Sequence, residues 1–195
     1  MIKLLVLLFS YLLGSIPMAY MIGKFRYGKD IRKYGSGNVG ATNAFRILGP
    51  AAGITVLAAD ALKGFLAVLI AGYFGGPFMV IAAGFIVIFG HTFSAFLKFR
   101  GGKGVATGAG TFLAIAPKSI LWAVLIFVLI VLLFRFVSLG SISGAASLPV
   151  LLFIYQRPWA YVIYGLVAAA FVIFKHRSNI ERLRNGLEPK ITWRF

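Results

Sequence analysis

Two kinds of residue are scarce in this 195-residue chain, and their scarcity excludes several kinds of chemistry. There is no cysteine, which excludes disulfide bonds and thiolate chemistry and leaves the redox compartment open. Only four residues are acidic, against 20 lysines and arginines, so the formal net charge is +16. With so few carboxylates and only two histidines, far apart in the chain, the spacing predicts no metal site and no cofactor.

Apolar residues, by contrast, are abundant. They make up 61% of the chain, and the mean hydropathy is +0.95, whereas soluble domains are roughly 45–50% apolar. The chain is therefore predicted to be an integral membrane protein. Its cations cluster between apolar runs rather than along one soluble face. This pattern favours membrane lipids and anionic substrates as partners and argues against nucleic acid.

Seven apolar runs are candidate membrane spans, for which roughly 17–25 helical residues are needed. The first run has no clear cleavage site and is interpreted as an uncleaved helix. The runs are Ile2–Gly23, Ala51–Tyr73, Phe78–Leu97, Val105–Ala116, Ser119–Phe134, Leu139–Tyr155 and Trp159–Phe174. Pro17 and Pro149 lie inside runs, where a kink is tolerated. We predict an all-α, polytopic fold with seven transmembrane helices, forming a single domain over residues 1–195.

The fourth run is short, and the basic residues decide whether it crosses the membrane. If all seven runs cross, only Lys3, Lys118 and Arg157 lie outside, with Lys63 inside a span. The basic tail then lies in the cytoplasm, with Lys175, Arg177, Arg182, Arg184, Lys190 and Arg194. Because cytoplasmic loops carry the excess of lysine and arginine, the N-terminus is predicted outside and the C-terminus inside.

Three polar stretches fall on the predicted cytoplasmic side, and the first runs from Gly35 to Arg46. Its glycines allow tight turns and close approach to a ligand, and several of its side chains bind anions or donate hydrogen bonds. The candidates are Ser36, Gly37, Asn38, Thr42, Asn43 and Arg46. Gly35 and Gly40 are spaced as in a P-loop, but Ala41 replaces the lysine and no strand precedes. Nucleotide binding is thereby excluded, which leaves anion binding or a plain polar turn.

The second stretch is Gly101-Gly102-Lys103-Gly104, which opens the fourth run. A helix N-terminus with a lysine and close-approach glycines is suited to bind phosphate. The alternative is an ordinary cytoplasmic loop, which accounts for the neighbouring cations but not for the three glycines around one lysine.

The third stretch, His176–Arg182, follows the last run. His176 and Asn179 share a face if the helix continues, and Arg177 adds a cation. The alternative is a basic anchor at the membrane interface. His176 followed by Glu181 is a near miss for the His-x4-Asp dyad of many acyltransferases, but glutamate replaces aspartate and the segment is charged rather than loop-like.

Three ionisable residues lie within predicted spans, where such groups normally face a partner or a cavity. Asp60 and Lys63 are three residues apart on one helix, so they are expected to neutralise each other. His91 is expected to be a hydrogen-bonded packing histidine.

The chain resembles the PlsY family, the bacterial acyl-phosphate-dependent glycerol-3-phosphate acyltransferases, in motifs that span nearly its whole length. The motifs are Gly35-Ser36-Gly37-Asn38-Val39-Gly40-Ala41-Thr42-Asn43 with Arg46, Asp60-x-x-Lys63-Gly64, Gly90-His91 through Gly101-Gly102-Lys103-Gly104-Val105-Ala106-Thr107, and His176-Arg177-x-Asn179-Ile180-x-Arg182-Leu183. One departure is Ser94, where the family pattern often has proline.

The resemblance implies an enzyme of the bacterial inner membrane whose active site faces the cytoplasm. It implies transfer of a fatty acyl group from acyl phosphate to the 1-hydroxyl of glycerol 3-phosphate, the first step of phospholipid synthesis. The products are lysophosphatidic acid and phosphate. Because an acyl phosphate is already activated, no enzyme nucleophile is required, and a substrate phosphate oxygen is the expected proton acceptor.

The motif match also implies roles for individual residues. The catalytic ones are Ser36, Arg46, Lys103, His176 and Asn179. The substrate-binding ones are Gly37, Asn38, Thr42, Asn43, Gly101, Gly102, Gly104, Thr107 and Arg177. The supporting ones are Asp60, Lys63 and His91. As a hypothesis, Arg46, His176 and Asn179 hold glycerol 3-phosphate. Gly102, Lys103 and nearby backbone N–H groups hold the acyl phosphate, and Ser36 orients a phosphate or the reacting hydroxyl. The alternatives are an organophosphate transporter or flippase and an acyl-CoA-dependent membrane acyltransferase.

Overall fold

The computed structural model describes residues 1–191, which contain ten α-helices and no strand. The helices are α1 (Ile2–Ser15), α2 (Met18–Tyr27), α3 (Ala41–Leu48), α4 (Pro50–Phe74), α5 (Pro77–Thr92), α6 (Val105–Ile115), α7 (Pro117–Phe134), α8 (Val137–Ile154), α9 (Trp159–Lys175) and α10 (Arg177–Arg184). Short 3₁₀ turns occupy Ile31–Lys33 and Ala95–Leu97. The predicted all-α class is confirmed. Arg194, one of the tail cations behind the predicted orientation, lies outside the described residues.

Each predicted span has a counterpart among these helices. In the described chain, α4, α7, α8 and the segment Pro77–Leu97 are long and apolar enough to cross a membrane. Two further spans are possible if the bent pairs α1–α2 and α9–α10 each count as one. The seventh counterpart, α6, has only 11 residues. Seven crossings and the orientation of the termini stay predictions.

The structure adds two helix bends and one further helix to the predicted runs. The first span breaks between Ser15 and Met18, and its halves meet at a bend of 44°. Pro17 explains the break, because it has no amide hydrogen to donate to the preceding turn. The last span likewise bends by 58° at His176 instead of continuing. The stretch interpreted as a polar loop contains α3, so Thr42 and Arg46 are helical residues.

The chain packs as two compact units, Met1–Ile115 and the part from Ala116 onward. In the first unit α1 packs against α5, α4 against α6, and α3 against α4. Glycines allow these close crossings. A Cβ at Gly14 would lie 2.2 Å from the Val87 carbonyl oxygen, and one at Gly90 would lie 2.3 Å from that of Tyr11. The backbones of α1 and α5 therefore touch at two points.

The second unit is built around α8, which packs against α7 and α9. Gly140 on α8 faces Phe127, whose carbonyl oxygen would lie 2.9 Å from an added Cβ. The outward side of α7 carries large exposed apolar side chains, among them Leu121, Trp122, Leu129 and Leu133. Such a surface suits a helix that faces lipid rather than water.

Candidate active site

The first polar stretch is organised by Asn43, whose side chain is 1% exposed. Its Oδ1 accepts a hydrogen bond from the Ser36 amide at 3.1 Å. Its Nδ2 donates to three loop carbonyls, those of Ile31, Tyr34 and Asn38, at 3.2, 3.1 and 3.0 Å. Gly35 has φ +59°, and a Cβ there would lie 2.4 Å from Asn43 Oδ1. Asn43 therefore holds the loop in shape through four hydrogen bonds of its side-chain amide.

The next candidates are the other polar side chains of the Gly35–Arg46 stretch. Ser36 is exposed, and its Oγ accepts from the Asn38 amide at 3.4 Å. Thr42 and Arg46 are four residues apart on α3, so they lie on the same face of that helix. Asn38 Oδ1 is buried without a hydrogen-bond partner among residues 1–191. Since buried polar atoms are normally paired, this oxygen marks a place where a ligand donor fits.

A cavity of about 670 Å³ in the first unit adjoins this loop. It is lined by Asp30, Arg32, Lys33, Gly37, Leu97, Lys98 and Arg100. Arg32 pairs with Asp30 at 2.7 Å, and this hydrogen-bonded contact holds the pKa of the carboxyl at about 2. The carboxylate neutralises one of the four cations, so the lining stays positive. Such a cavity is within the usual size range for small ligands and attracts anions.

The second polar stretch is bonded to the end of α5. The Gly101 amide donates to the Thr92 carbonyl at 2.9 Å, and the Gly102 amide donates to that of His91 at 3.1 Å. These carbonyls belong to the last turn of α5, where no helical partner exists. The hypothesis that Gly102 offers its amide to a ligand therefore needs correction, because that amide is already bonded within the protein.

The glycines of this stretch have a packing reason as well. A Cβ at Gly101 would lie 2.0 Å from the His91 carbonyl oxygen, and one at Gly102 would lie 2.2 Å from His91 Nε2. Gly104 has φ +81°, a conformation that favours glycine. Lys103 is the half-buried side chain between them. The three glycines thus fix the loop against α5, and Lys103 is the charged side chain between them.

The residues expected to be supporting form one buried cluster in the first unit. Lys63 Nζ lies 2.8 Å from Asp60 Oδ1 and 2.9 Å from His91 Nδ1. The same nitrogen donates to the Ile16 carbonyl at 3.1 Å, at the break between α1 and α2. Thr107, on the neighbouring α6, is fully buried, and its Oγ1 has no hydrogen-bond partner within the described chain.

The third polar stretch belongs to the second unit and contains a contact that the sequence did not reveal. His176 is buried, and its Nδ1 lies 2.8 Å from the Val172 carbonyl. Asn179 donates to Glu188 Oε1 at 2.6 Å. Two more donors reach this carboxylate, Ser138 Oγ at 2.7 Å and Arg182 Nε at 2.7 Å. Glu188 therefore ties α10 to α8.

Comparison with known proteins decides the family. A family model described as glycerol-3-phosphate acyltransferase matches residues 4–186. The chain is 53% identical to glycerol-3-phosphate acyltransferase 2 of Moorella thermoacetica, covering 96% of this chain and 97% of the relative. The chain belongs to the glycerol-3-phosphate acyltransferase family. The glycerol-3-phosphate acyltransferase of Syntrophomonas wolfei is 46% identical, with 95% of each chain covered.

Solved structures agree with this glycerol-3-phosphate acyltransferase assignment. A crystal structure of PlsY, an integral membrane glycerol 3-phosphate acyltransferase, in its glycerol 3-phosphate form superposes with a TM-score of 0.94. It is 39% identical, covering 98% of this chain and 96% of that one. The lysophosphatidic acid form superposes with a TM-score of 0.92. The resemblance to the PlsY family is confirmed, and so is the integral membrane class.

The candidate residues divide between the units. The first holds the loop around Asn43, the basic cavity, Lys103 and the Asp60–Lys63–His91 cluster, and the second holds His176, Arg177 and Asn179. Arg177 is exposed, with its guanidinium 4.9 Å from the Phe174 ring. The one available signal for Glu188 was its rarity as an acid in a basic tail. The individual roles of the candidate residues stay predictions.

Replacing Glu188 by glutamine is expected to destabilise the protein. Burial alone raises the pKa of Glu188, but the donors from Ser138, Asn179 and Arg182 outweigh it, and the net shift is downward. The neutral amide weakens these charge-assisted bonds, so we expect a loss of about 2 kcal/mol in the free energy of unfolding. Thermal unfolding in detergent measures this as a midpoint lowered by several degrees.

The pH dependence has a definite sign. Because the folded pKa is depressed, the stabilisation by Glu188 is complete above the ordinary glutamate value of about 4.3 and is lost as the pH falls below it. The matched control is Glu181→Gln on α10, where the side chain is exposed. Equal midpoints for the two variants would contradict the anchoring role of Glu188.

Proposed function

We propose that the protein transfers a fatty acyl group from acyl phosphate to the 1-hydroxyl of glycerol 3-phosphate, releasing lysophosphatidic acid and inorganic phosphate. The observation that carries this proposal is the match, over 98% of the chain, to an acyltransferase solved in both a glycerol 3-phosphate and a lysophosphatidic acid form. These two molecules are the acceptor and the product of one acylation.

Acyl phosphate is proposed as the donor because the candidate site is rich in groups that bind anions. The basic cavity and Lys103 suit phosphate, and the chain has no cysteine. In an acyl phosphate the carbonyl carbon is already bonded to a good leaving group. Transfer then requires two aligned substrates and stabilisation of the developing charge, rather than a covalent enzyme intermediate.

The proposed reaction is a direct displacement. The hydroxyl oxygen of glycerol 3-phosphate forms a bond to the carbonyl carbon, while the bond from that carbon to the phosphate oxygen breaks and its electrons leave with the phosphate. The hydroxyl proton passes to a phosphate oxygen. No protein base is needed for this step, and the atoms and charges balance.

We assign roles to the residues of the first unit on their placement. Lys103 and Arg46 bind the phosphate groups as full charges. Ser36 and Thr42 add hydroxyl groups, and the orphaned Asn38 Oδ1 accepts a hydrogen bond from a glycerol hydroxyl. Asn43, which is already bonded to the loop, supports these groups instead of contacting substrate.

Two further candidate residues are oriented by contacts within the second unit. Asn179 is held by Glu188 through its side-chain nitrogen, which fixes the direction of its carbonyl oxygen. His176 is oriented by the Val172 carbonyl. We propose the cytoplasmic side of the bacterial inner membrane as the location of the reaction, since the predicted topology places every polar stretch there. The acyl chain would lie between helices, in contact with membrane lipid.

One assay tests the donor and separates the alternatives. Purified protein is given labelled glycerol 3-phosphate with either acyl phosphate or acyl-CoA, in parallel with the same protein in sealed vesicles. We expect labelled lysophosphatidic acid with acyl phosphate only. Product with acyl-CoA alone would replace the proposed donor, and label entering vesicles without product would indicate a transporter.

A further inference from the structure

The buried Asp60–Lys63–His91 cluster lies directly against the loop that carries Lys103. All three side chains are nearly inaccessible, with His91 8% exposed and Asp60 only 1%. Ionisable groups at such depth are costly unless each is paired. Their arrangement therefore needs a reason beyond mutual neutralisation on α4.

Lys63 Nζ has three polar neighbours, all within the protein. An ammonium group has three donors, and here Nζ contacts Asp60 Oδ1, His91 Nδ1 and the Ile16 carbonyl at 2.8, 2.9 and 3.1 Å. His91 Nδ1 therefore faces Lys63 Nζ directly, and the same ring nitrogen lies 3.6 Å from Asp60 Oδ1. Lys63 and Asp60 thereby orient the His91 ring.

The opposite edge of that ring packs on the Gly101–Gly104 loop. His91 Nε2 occupies the place where a side chain at position 102 would begin, 2.2 Å from an ideal Cβ. The main chain makes the same connection, because the His91 carbonyl accepts from the Gly102 amide and the Thr92 carbonyl from the Gly101 amide. Lys103 is the next residue after Gly102 in the chain. The position of Lys103 is therefore set by contacts with His91 and its neighbour on α5.

We propose that His91 is a positioning residue for Lys103, with its ring oriented by Lys63 and Asp60, and that it acts by holding the Gly101–Gly104 loop against α5. The proposal rests on the proposed function only in taking Lys103 as a substrate ligand. It assigns the cluster no contact with substrate. A small displacement of a binding group can lower the rate by about a hundredfold, so a fixed loop has catalytic value.

The first test is a pair of double mutants. Gly102→Ala places its Cβ in the His91 ring, so it should lower kcat/KM for glycerol 3-phosphate by about tenfold or more. His91→Ala makes room for that Cβ, and the double variant should recover activity relative to Gly102→Ala alone. The control is Gly101→Ala, whose Cβ meets the His91 carbonyl oxygen at 2.0 Å. Removing the ring cannot relieve that clash, so no recovery is expected.

The second test does not depend on turnover. Hydrogen exchange by mass spectrometry, on the peptide that contains the Gly101 and Gly102 amides, should be about tenfold faster in His91→Ala than in the parent. His91→Asn keeps an acceptor near the place of Nδ1 for Lys63 but removes the edge that touches Gly102. This variant should unfold at nearly the parental temperature and still lose loop protection.

The outcomes distinguish the positioning role of His91 from the proposed function of the protein. Unchanged exchange in both His91 variants, or equal recovery of Gly101→Ala and Gly102→Ala, overturns the positioning role. If the His91 variants show faster exchange but unaltered turnover, His91 does hold the loop in place, and Lys103 is not part of the substrate site. A parent protein without acyltransferase activity would remove the proposed function while the exchange result still decides the structural part.

Discussion

Lys103→Ala is expected to lower turnover of glycerol 3-phosphate and acyl phosphate by at least about a hundredfold while the protein stays folded. Three glycines press the loop against α5, and Lys103 is the charged side chain that this loop presents. Its ammonium group is proposed to stabilise charge that develops on phosphate as the acyl bond breaks. Initial rates at saturating acyl phosphate, with thermal unfolding of the same preparation, measure both parts of the expectation.

Two further variants make the result interpretable. Lys103→Arg keeps the charge but changes the geometry from a point charge to a planar fork, so partial activity is expected. Lys118→Ala removes an exposed lysine from the start of α7, outside every candidate stretch, and should leave turnover unchanged. Near-parental turnover of Lys103→Ala would remove Lys103 from the site. A loss of folding in that variant would assign it a structural role instead.

The membrane fold could be predicted well because the lipid bilayer imposes strict requirements on every segment that crosses it. A span must be apolar over its length, and its backbone N–H and C=O groups must be hydrogen-bonded within the span. The composition and the length of an apolar run show both properties. Pro50 is the first residue of α4, a position that proline favours. The break near Pro17 was visible only as a possible kink. Its form depends on Lys63 and Ser94, which bond to the Ile16 and Ser15 carbonyls from distant parts of the chain.

The chemistry of the site was predictable by residue type but not by partnership. Asn43 looks the same in sequence whether it faces a ligand or supports a loop, and only the four contacts of its amide group distinguish the two. The glycines around Lys103 suggested close approach to a ligand, whereas Gly101 and Gly102 are needed for close approach to His91. Tertiary neighbours decide such cases, and local sequence does not encode them.

Glu188 illustrates the same limit from the other direction. The sequence predicts no role for it, because nothing near it in the sequence distinguishes it from Glu181 in the same basic tail. Its significance comes from Ser138 on α8 and from Asn179 and Arg182 on α10, which converge on one carboxylate only after folding. A residue whose function is to join elements has no local signature.

The second large effect is expected at the crossing of α4 and α6. A Cβ at Gly64 would lie 2.0 Å from the Thr107 carbonyl oxygen, and one at Gly110 would lie 1.9 Å from that of Ala61. Each helix thus presses a glycine onto the backbone of the other, as small residues allow in membrane helix pairs. Because α6 has only 11 residues, it depends on this close contact more than a full-length span would.

Gly64→Ala and Gly110→Ala are therefore each expected to cost about 3 kcal/mol or more in the free energy of unfolding, since backbone cannot move aside as a side chain can. Yield of monodisperse protein and the thermal midpoint in detergent measure the loss.

The controls lie on the same two helices. Cβ atoms at Gly72 on α4 and Gly108 on α6 would come no closer than 3.8 and 3.5 Å to any neighbour. Gly72→Ala and Gly108→Ala should therefore leave the midpoint unchanged or raise it slightly, by the helix propensity of alanine. If all four variants behaved alike, helix propensity rather than the backbone contact would govern this crossing. A selective loss at Gly64 and Gly110 would show that α6 is held in place by α4, the helix that also carries Asp60 and Lys63.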